Sequence, residues 1–199
     1  MKLQPPIKQI RTQNYWRGRG GLPIVGIVLH ITDGSFQSTI NHFQNKNSFS
    51  SSHYVVDDDV YQLVDDNDTA WHAGLVRNPT WKGLRYRQLG GIEGLSEYKG
   101  ENRGEQGEVF QSIGERLGGM AEIINPNFYT LGVEFVSRGE FPNVQKWLRA
   151  IRLVESLCKK WGIPRNNIGL PNHREINSGK WCPGRWFNRR WVTLLGPII

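Results

Sequence analysis

The sequence predicts a single α/β domain, a central mixed β-sheet flanked by helices, and three observations carry that prediction. Ile24-Val25-Gly26-Ile27-Val28-Leu29-His30 is an apolar, β-branched run without polar alternation, as expected of a strand buried on both faces. Tyr129-Thr130-Leu131-Gly132-Val133-Glu134-Phe135-Val136 is a second such run, with one carboxylate inside it. Val144, Trp147, Leu148, Ile151, Val154, Leu157, Cys158 and Trp161 recur at helical period, so a long helix packs one face on the sheet. At 199 residues and 38% apolar content, the chain supports one well-buried core and leaves little room for a second domain.

The remaining elements follow in order. Residues 1–23 hold few apolar residues, the pair Pro5-Pro6 and the run Gly18-Arg19-Gly20-Gly21, and read as an irregular N-terminal arm. The domain proper is expected over 24–195. Phe36, Ile40 and Phe43 mark a short helix ending near Asn47. His53-Tyr54-Val55-Val56 and Val60-Tyr61-Gln62-Leu63-Val64 flank three aspartates, which is a hairpin signal. Residues 75–105 form a surface insertion rich in Gly, Arg, Lys and Glu, and 108–124 a helix weakened by Gly114, Gly118 and Gly119. Asn143 opens the long helix, and Gly162 and Pro164 stop it. Ile168-Gly169-Leu170 is expected as a short strand running into His173, and 181–195 as an aromatic, basic closing helix.

Charge and cysteine content narrow the partners. The formal net charge of +7 favours polyanions, whether nucleic acid, an anionic wall polymer or an outer-membrane surface. No helix-turn-helix, zinc-finger or RNP pattern is present, so specific nucleic-acid binding is not expected. Two cysteines are too few for a disulfide scaffold. The Met1 end shows neither a long apolar run nor a small-residue cleavage site, and no window approaches the roughly 20 apolar residues of a membrane span. Cytoplasmic synthesis without a signal peptide and a monomeric state are the expectations.

Three side chains suggest a metal. His173 and Cys182 are nine positions apart across a polar, Gly-containing loop, and His30 ends a buried strand. Zn²⁺ prefers nitrogen and sulfur donors, and a catalytic site supplies three of them. The alternative is two strand-end histidines and a small buried cysteine. Spacing alone leaves the two readings level.

Five segments then resemble the zinc-dependent N-acetylmuramoyl-L-alanine amidases, the family of T7-type lysozyme and the peptidoglycan-recognition proteins. They are Ile27-Val28-Leu29-His30-Ile31-Thr32, Ser51-Ser52-His53-Tyr54-Val55-Val56-Asp57, Ala70-Trp71-His72-Ala73-Gly74, Thr130-Leu131-Gly132-Val133-Glu134-Phe135, and His173-Arg174 through Lys180-Trp181-Cys182-Pro183-Gly184. The resemblance covers about 24–74 and 125–190. It implies that His30, His173 and Cys182 bind Zn²⁺, that Glu134 is the general base, that Lys180 stabilises the oxyanion, that Trp71 meets the substrate, and that His72 meets the substrate or supports a ligand from behind, the alternative for His72 being plain structural hydrogen bonding. It also implies a lysozyme-like fold, peptidoglycan as substrate, and cleavage of the bond between N-acetylmuramic acid and L-alanine. Ser52 stands where some relatives place a tyrosine, so no tyrosine role carries over, and the family pattern assigns nothing to 75–105. His53 and His42 are expected to be structural and superficial respectively, and Cys158 a buried thiol on the helix stripe. Small size without an export signal or wall-binding domain suggests a phage or prophage endolysin. A recycling amidase, or a module that binds peptidoglycan without cutting it, is the alternative.

Overall fold

The computed structural model describes residues 6–74, 76–84, 86–88, 121–123, 125–138, 143–184, 187 and 189. Its centre is a five-stranded sheet made of β1 (Ile7–Gln9), β3 (Gly26–Ile31), β4 (Tyr54–Val56), β5 (Val60–Gln62) and β9 (Thr130–Phe135), in the order β1-β5-β4-β9-β3. The hairpin pair β4 and β5 is antiparallel, and the other pairings are parallel. Both unalternating runs become neighbouring strands, β3 and β9, paired over six residues from Gly26↔Thr130 to Ile31↔Phe135. Two small two-stranded ladders stand apart: β2 (Tyr15–Trp16) with β6 (Thr69–Ala70), and β7 (Tyr86–Gln88) with β8 (Ala121–Ile123).

Strand alternation divides the sheet into two apolar faces. Ile27, Leu29, Leu131, Val133, Phe135, Tyr54 and Val56 meet Trp147, Ile151, Val154 and Leu157 of α2 (Val144–Trp161) in the largest core cluster. The Asn143 side chain caps this helix by accepting from Lys146 N–H, and Gly162 ends it at φ 64°. Cys158 is buried there, and burial pushes its thiol up to about 12, so it stays protonated. Near the helix end, Asp66 accepts from Tyr54 Oη, Lys160 Nζ and Trp161 Nε1 at 2.6, 2.8 and 2.9 Å, which ties the hairpin to α2. The opposite face carries Val55 against Ile40 and Phe43 of α1 (Phe36–Gln44), which the Ser35 side chain caps.

Four expectations need correction. The arm at 1–23 is not wholly irregular: Ile7–Gln9 lies parallel to β5 as an edge strand, with Ile7 against the core. Only Ile7 of this strand is partly covered and Lys8 and Gln9 are exposed, so composition hid it. Residues 121–123 of the expected 108–124 helix form β8 instead, and 108–120 lie outside the described residues. Residues 169–171 run beside β3, receiving Ile27 N–H at Gly169 O and Leu29 N–H at Pro171 O, without forming a regular strand. Pro171 has no N–H to continue a ladder. His173 therefore begins a helical turn, α3 (His173–Ile176), rather than ending a strand. Of the closing helix, 181–184 is turn, and most of the rest lies outside the described residues, as does much of 75–105.

His53 fastens the middle of the sheet. It has no exposed surface, accepts from Gly132 N–H at Nδ1 (3.0 Å) and faces Asp68 O through Nε2 (3.2 Å). Burial, and then the neighbouring Arg19 charge, hold its pKa well below 6.5. The folded state thus keeps His53 neutral while the unfolded chain takes up a proton near pH 6.5. Its contribution is complete above that pH and is lost as pH falls, by up to about 1.4 kcal/mol per unit. Urea unfolding of the metal-free chain should show His53→Asn costing about 1–3 kcal/mol at pH 7.5. The same variant should lose less stability than wild type between pH 7.5 and 5.0.

Candidate metal centre and cleft

β3 delivers His30 to its C-terminal end, and the pairing of His30 with Glu134 sets the two side chains on one face. α3 places His173 opposite. Its Glu175 carboxylate accepts from Asn172 N–H at 2.7 Å and is gripped at both oxygens by Arg189 at 2.8 and 3.0 Å. The loop after α3 brings back Cys182, held by Arg174 N–H on its carbonyl at 3.1 Å and followed by a cis Pro183.

The donor atoms of His30, His173 and Cys182 all lie within 4.8 Å of one another. Nδ1 of His30 is 3.1 Å from Nδ1 of His173 and 3.7 Å from Sγ of Cys182. Ligands about 2.0–2.3 Å from a tetrahedral zinc stand roughly 3.3–3.8 Å apart, close to these separations. The far nitrogens point into the protein: His173 Nε2 is 2.9 Å from Ala73 O, and His30 Nε2 is 3.2 Å from His72 Nδ1. A carbonyl oxygen can only accept, so His173 carries its proton on Nε2 and turns a lone pair inward. Burial and the nearby Lys180 charge lower the His173 pKa to about 4, and burial takes that of His30 well below 6.5, so both rings are neutral. Ile31 N–H points at Cys182 Sγ (3.2 Å), a donor suited to a thiolate. In the protein alone, burial, with the Glu134 charge adding to it, raises that thiol to about 12. Facing lone pairs and a sulfur with an amide aimed at it form a donor set that fits a divalent, zinc-like ion.

Glu134 is 8% exposed, with Oε1 3.9 Å from His30 Nδ1, and burial raises its pKa to about 8. Lys180 is exposed at the lip. These groups line a cleft of about 620 Å³ that runs past Trp71 and Phe49 to His42 of α1. Trp71, for which substrate contact was expected, is among the residues lining this cleft. His72 does not offer a substrate a free nitrogen: it is 6% exposed, Nδ1 faces His30, and Nε2 faces Thr130 O at 3.4 Å. His53 and Tyr54 are buried away from the cleft. His42, expected to be superficial, is exposed and also lines the cleft, as does Phe49, which no local sequence feature marked.

The family model for N-acetylmuramoyl-L-alanine amidase matches residues 20–185. No curated protein matches the sequence. Among solved structures, the endolysin amidase LysCS from Clostridium intestinale URNW is 15% identical, with 96% of this chain and 95% of that one aligned at a TM-score of 0.60. A selenomethionine derivative of AmpD is 14% identical over 94% and 92% of the two chains, also at 0.60. The E. coli amidase AmiD, in complex with the substrate anhydro-N-acetylmuramic acid-L-Ala-D-gamma-Glu-L-Lys, is 20% identical over 87% and 58%, at 0.56. These likenesses are of fold.

Equilibrium dialysis against zinc should find about one ion per chain at this three-donor site. Cys182→Ala should weaken retention at least about 100-fold while leaving the circular dichroism spectrum unchanged. Stoichiometric, equally tight binding by that variant would remove the sulfur from the site.

Proposed function

The chain belongs to the N-acetylmuramoyl-L-alanine amidase family and hydrolyses peptidoglycan, and from that premise we propose that it is a zinc-dependent endolysin. The observation that carries this reading is the meeting of His30, His173 and Cys182 within 4.8 Å, beside a buried carboxyl and an exposed lysine. His30, His173 and Cys182 would hold the zinc ion, which would supply Lewis acidity for activating water near neutral pH and polarising the scissile carbonyl.

The residues of the chain supply the rest. Glu134 lies beside His30, its Oε1 3.9 Å from His30 Nδ1, where a carboxylate can take a proton from water and return it. It accepts the proton of the attacking water and delivers it to the departing nitrogen of L-alanine. Lys180 brings its positive charge to the carbonyl oxygen as that oxygen becomes negative, and its exposed position at the lip lets it follow that change. The cleft of about 620 Å³ carries Trp71 in its lining, an aromatic side chain suited to packing on a sugar or peptide. The surplus of seven positive charges supports attraction to anionic wall polymers.

A recycling amidase acting on soluble muropeptides is the second reading, supported by the equally close likeness to AmpD. A module that only binds the wall is disfavoured by the complete donor set.

Digestion of purified sacculi followed by mass spectrometry should reveal new L-alanine amino termini and no new reducing sugar ends. Glu134→Gln should lower kcat by about 10²–10⁴-fold with zinc still bound. New reducing ends would make the enzyme a glycosidase. Activity confined to soluble muropeptide would favour recycling over lysis.

A further inference from the structure

We propose that the dipeptide His72-Ala73 is a shared positioning layer that fixes both imidazoles of the metal centre, and that the side chain of Asn127 clamps this dipeptide in place. The inference rests on the zinc reading of the same cluster.

The order starts at groups that can only accept. Thr130 O is a carbonyl, and the Thr130 hydroxyl already gives its proton to Pro126 O at 2.6 Å. His72 Nε2 lies 3.4 Å from that carbonyl and 3.3 Å from that hydroxyl oxygen. The proton of the neutral His72 ring therefore belongs on Nε2, leaving a lone pair on Nδ1. That lone pair is 3.2 Å from His30 Nε2, which must then carry a hydrogen and donate it. His30 is left with one lone pair, on Nδ1, the atom that faces Cys182 and His173. One residue on, Ala73 O accepts from His173 Nε2 at 2.9 Å and imposes the same choice on the second ring. Two adjacent residues, one through its side chain and one through its backbone, thereby decide which nitrogen each imidazole presents.

The dipeptide lies outside any regular element, just after β6, and something must hold it to within a few tenths of an ångström. Asn127 does this. It is 1% exposed, and its Oδ1 accepts from both His72 N–H (3.1 Å) and Ala73 N–H (2.7 Å). Asn127 is itself fixed by its backbone N–H on Asn125 Oδ1 at 3.0 Å and by its carbonyl on Arg19 Nη1 at 3.3 Å. Gly132 gives the His72 ring its seat: a Cβ there would meet His72 Cγ at 2.5 Å. Neither His72 nor Asn127 needs to touch substrate for this role. Both act through the imidazoles behind which they stand.

The test pairs disruptive with conservative variants of the full-length chain. His72→Phe keeps a ring but removes the acceptor for His30, whereas His72→Asn restores an acceptor near the position of Nδ1. Asn127→Leu removes the double acceptor, whereas Asn127→Asp keeps it. Zinc dissociation constants come from competition with a chromophoric chelator at pH 7.5, with a thermal melt of each metal-free variant as control. The disruptive variants should bind zinc about 10–100-fold more weakly, and the conservative ones within about threefold of wild type. Nitrogen-15 spectra of the metal-free wild type should show His30, His72 and His173 protonated on Nε2, with His30 redistributed in His72→Phe. Should Asn127→Leu fail to fold, the His72 pair decides alone. Equal affinity in wild type and both disruptive variants, or no rescue by His72→Asn, would overturn the positioning role. A wild type that binds no zinc would instead overturn the reading beneath it.

Discussion

β3 and β9 run parallel and in register, and the site depends on that pairing more than on any other contact. Paired residues of neighbouring strands stand about 4.8 Å apart on the same face, so His30 and Glu134 are brought together by backbone geometry alone. Two residues earlier on the same face, the pairing sets Val28 beside Gly132, and the missing side chain there is where the His72 ring lies. The pleat that places the carboxyl beside the first imidazole also opens the slot for the residue behind it. A slip of one residue in β3 would turn His30 into the core under α2 and bring Leu29 to the cleft. Away from His30 and Glu134 both strands are largely apolar on both faces, so hydrophobic burial of the other residues distinguishes the two registers only weakly. The register is instead held by polar attachments, Gly132 N–H on His53 and the carbonyls of Gly169 and Pro171 on β3.

Burial acts on every titratable group of the centre in the same sense, toward its uncharged form. The imidazoles lose their affinity for a proton, the Cys182 thiol keeps its own, and Glu134 rises to about 8. Lys180, exposed at the lip, is the standing charge beside them. Neutral nitrogen donors are what a metal requires, and an amide aimed at sulfur favours the thiolate that replaces the thiol on coordination. A cation among these donors would draw the Glu134 pKa back down, because an opposite charge within about 4–6 Å favours the carboxylate.

The sequence exposed the parts of this structure that leave a local or family pattern. The two central strands declared themselves by length without alternation, α2 by its stripe, and the donor triad by its resemblance to known amidases. What stayed hidden depends on partners distant in the chain. Ile7–Gln9 reads as coil because an edge strand borrows its order from β5. For His72 substrate contact, support of a ligand from behind and structural hydrogen bonding were all open, because its neighbours Thr130 and His30 were invisible until the chain folded. Asn127 carried no signal at all, since a side chain that accepts from two amides about 55 positions away looks like any loop asparagine.

The walls of the cleft pose the same physical problem on both sides, since irregular backbone must be held still without a ladder of hydrogen bonds. On the centre's side the solution is an acceptor, Asn127 Oδ1 gathering two amides. On the far side it is a donor. Asn14 Nδ2 lies 2.9–3.0 Å from Phe43 O, Asn45 O and Ser50 O, carbonyls at the end of α1 and in the loop that follows. That loop turns at Phe49 with φ at 48°, a left-handed conformation uncommon for a non-glycine residue, and leaves the ring 56% exposed beside the cleft. Each carboxamide is nearly inaccessible, so water does not compete for its bonds and each bond counts for more than it would at the surface. Substitution of either residue would therefore loosen a wall of the cleft from behind, although Asn14 does not line it.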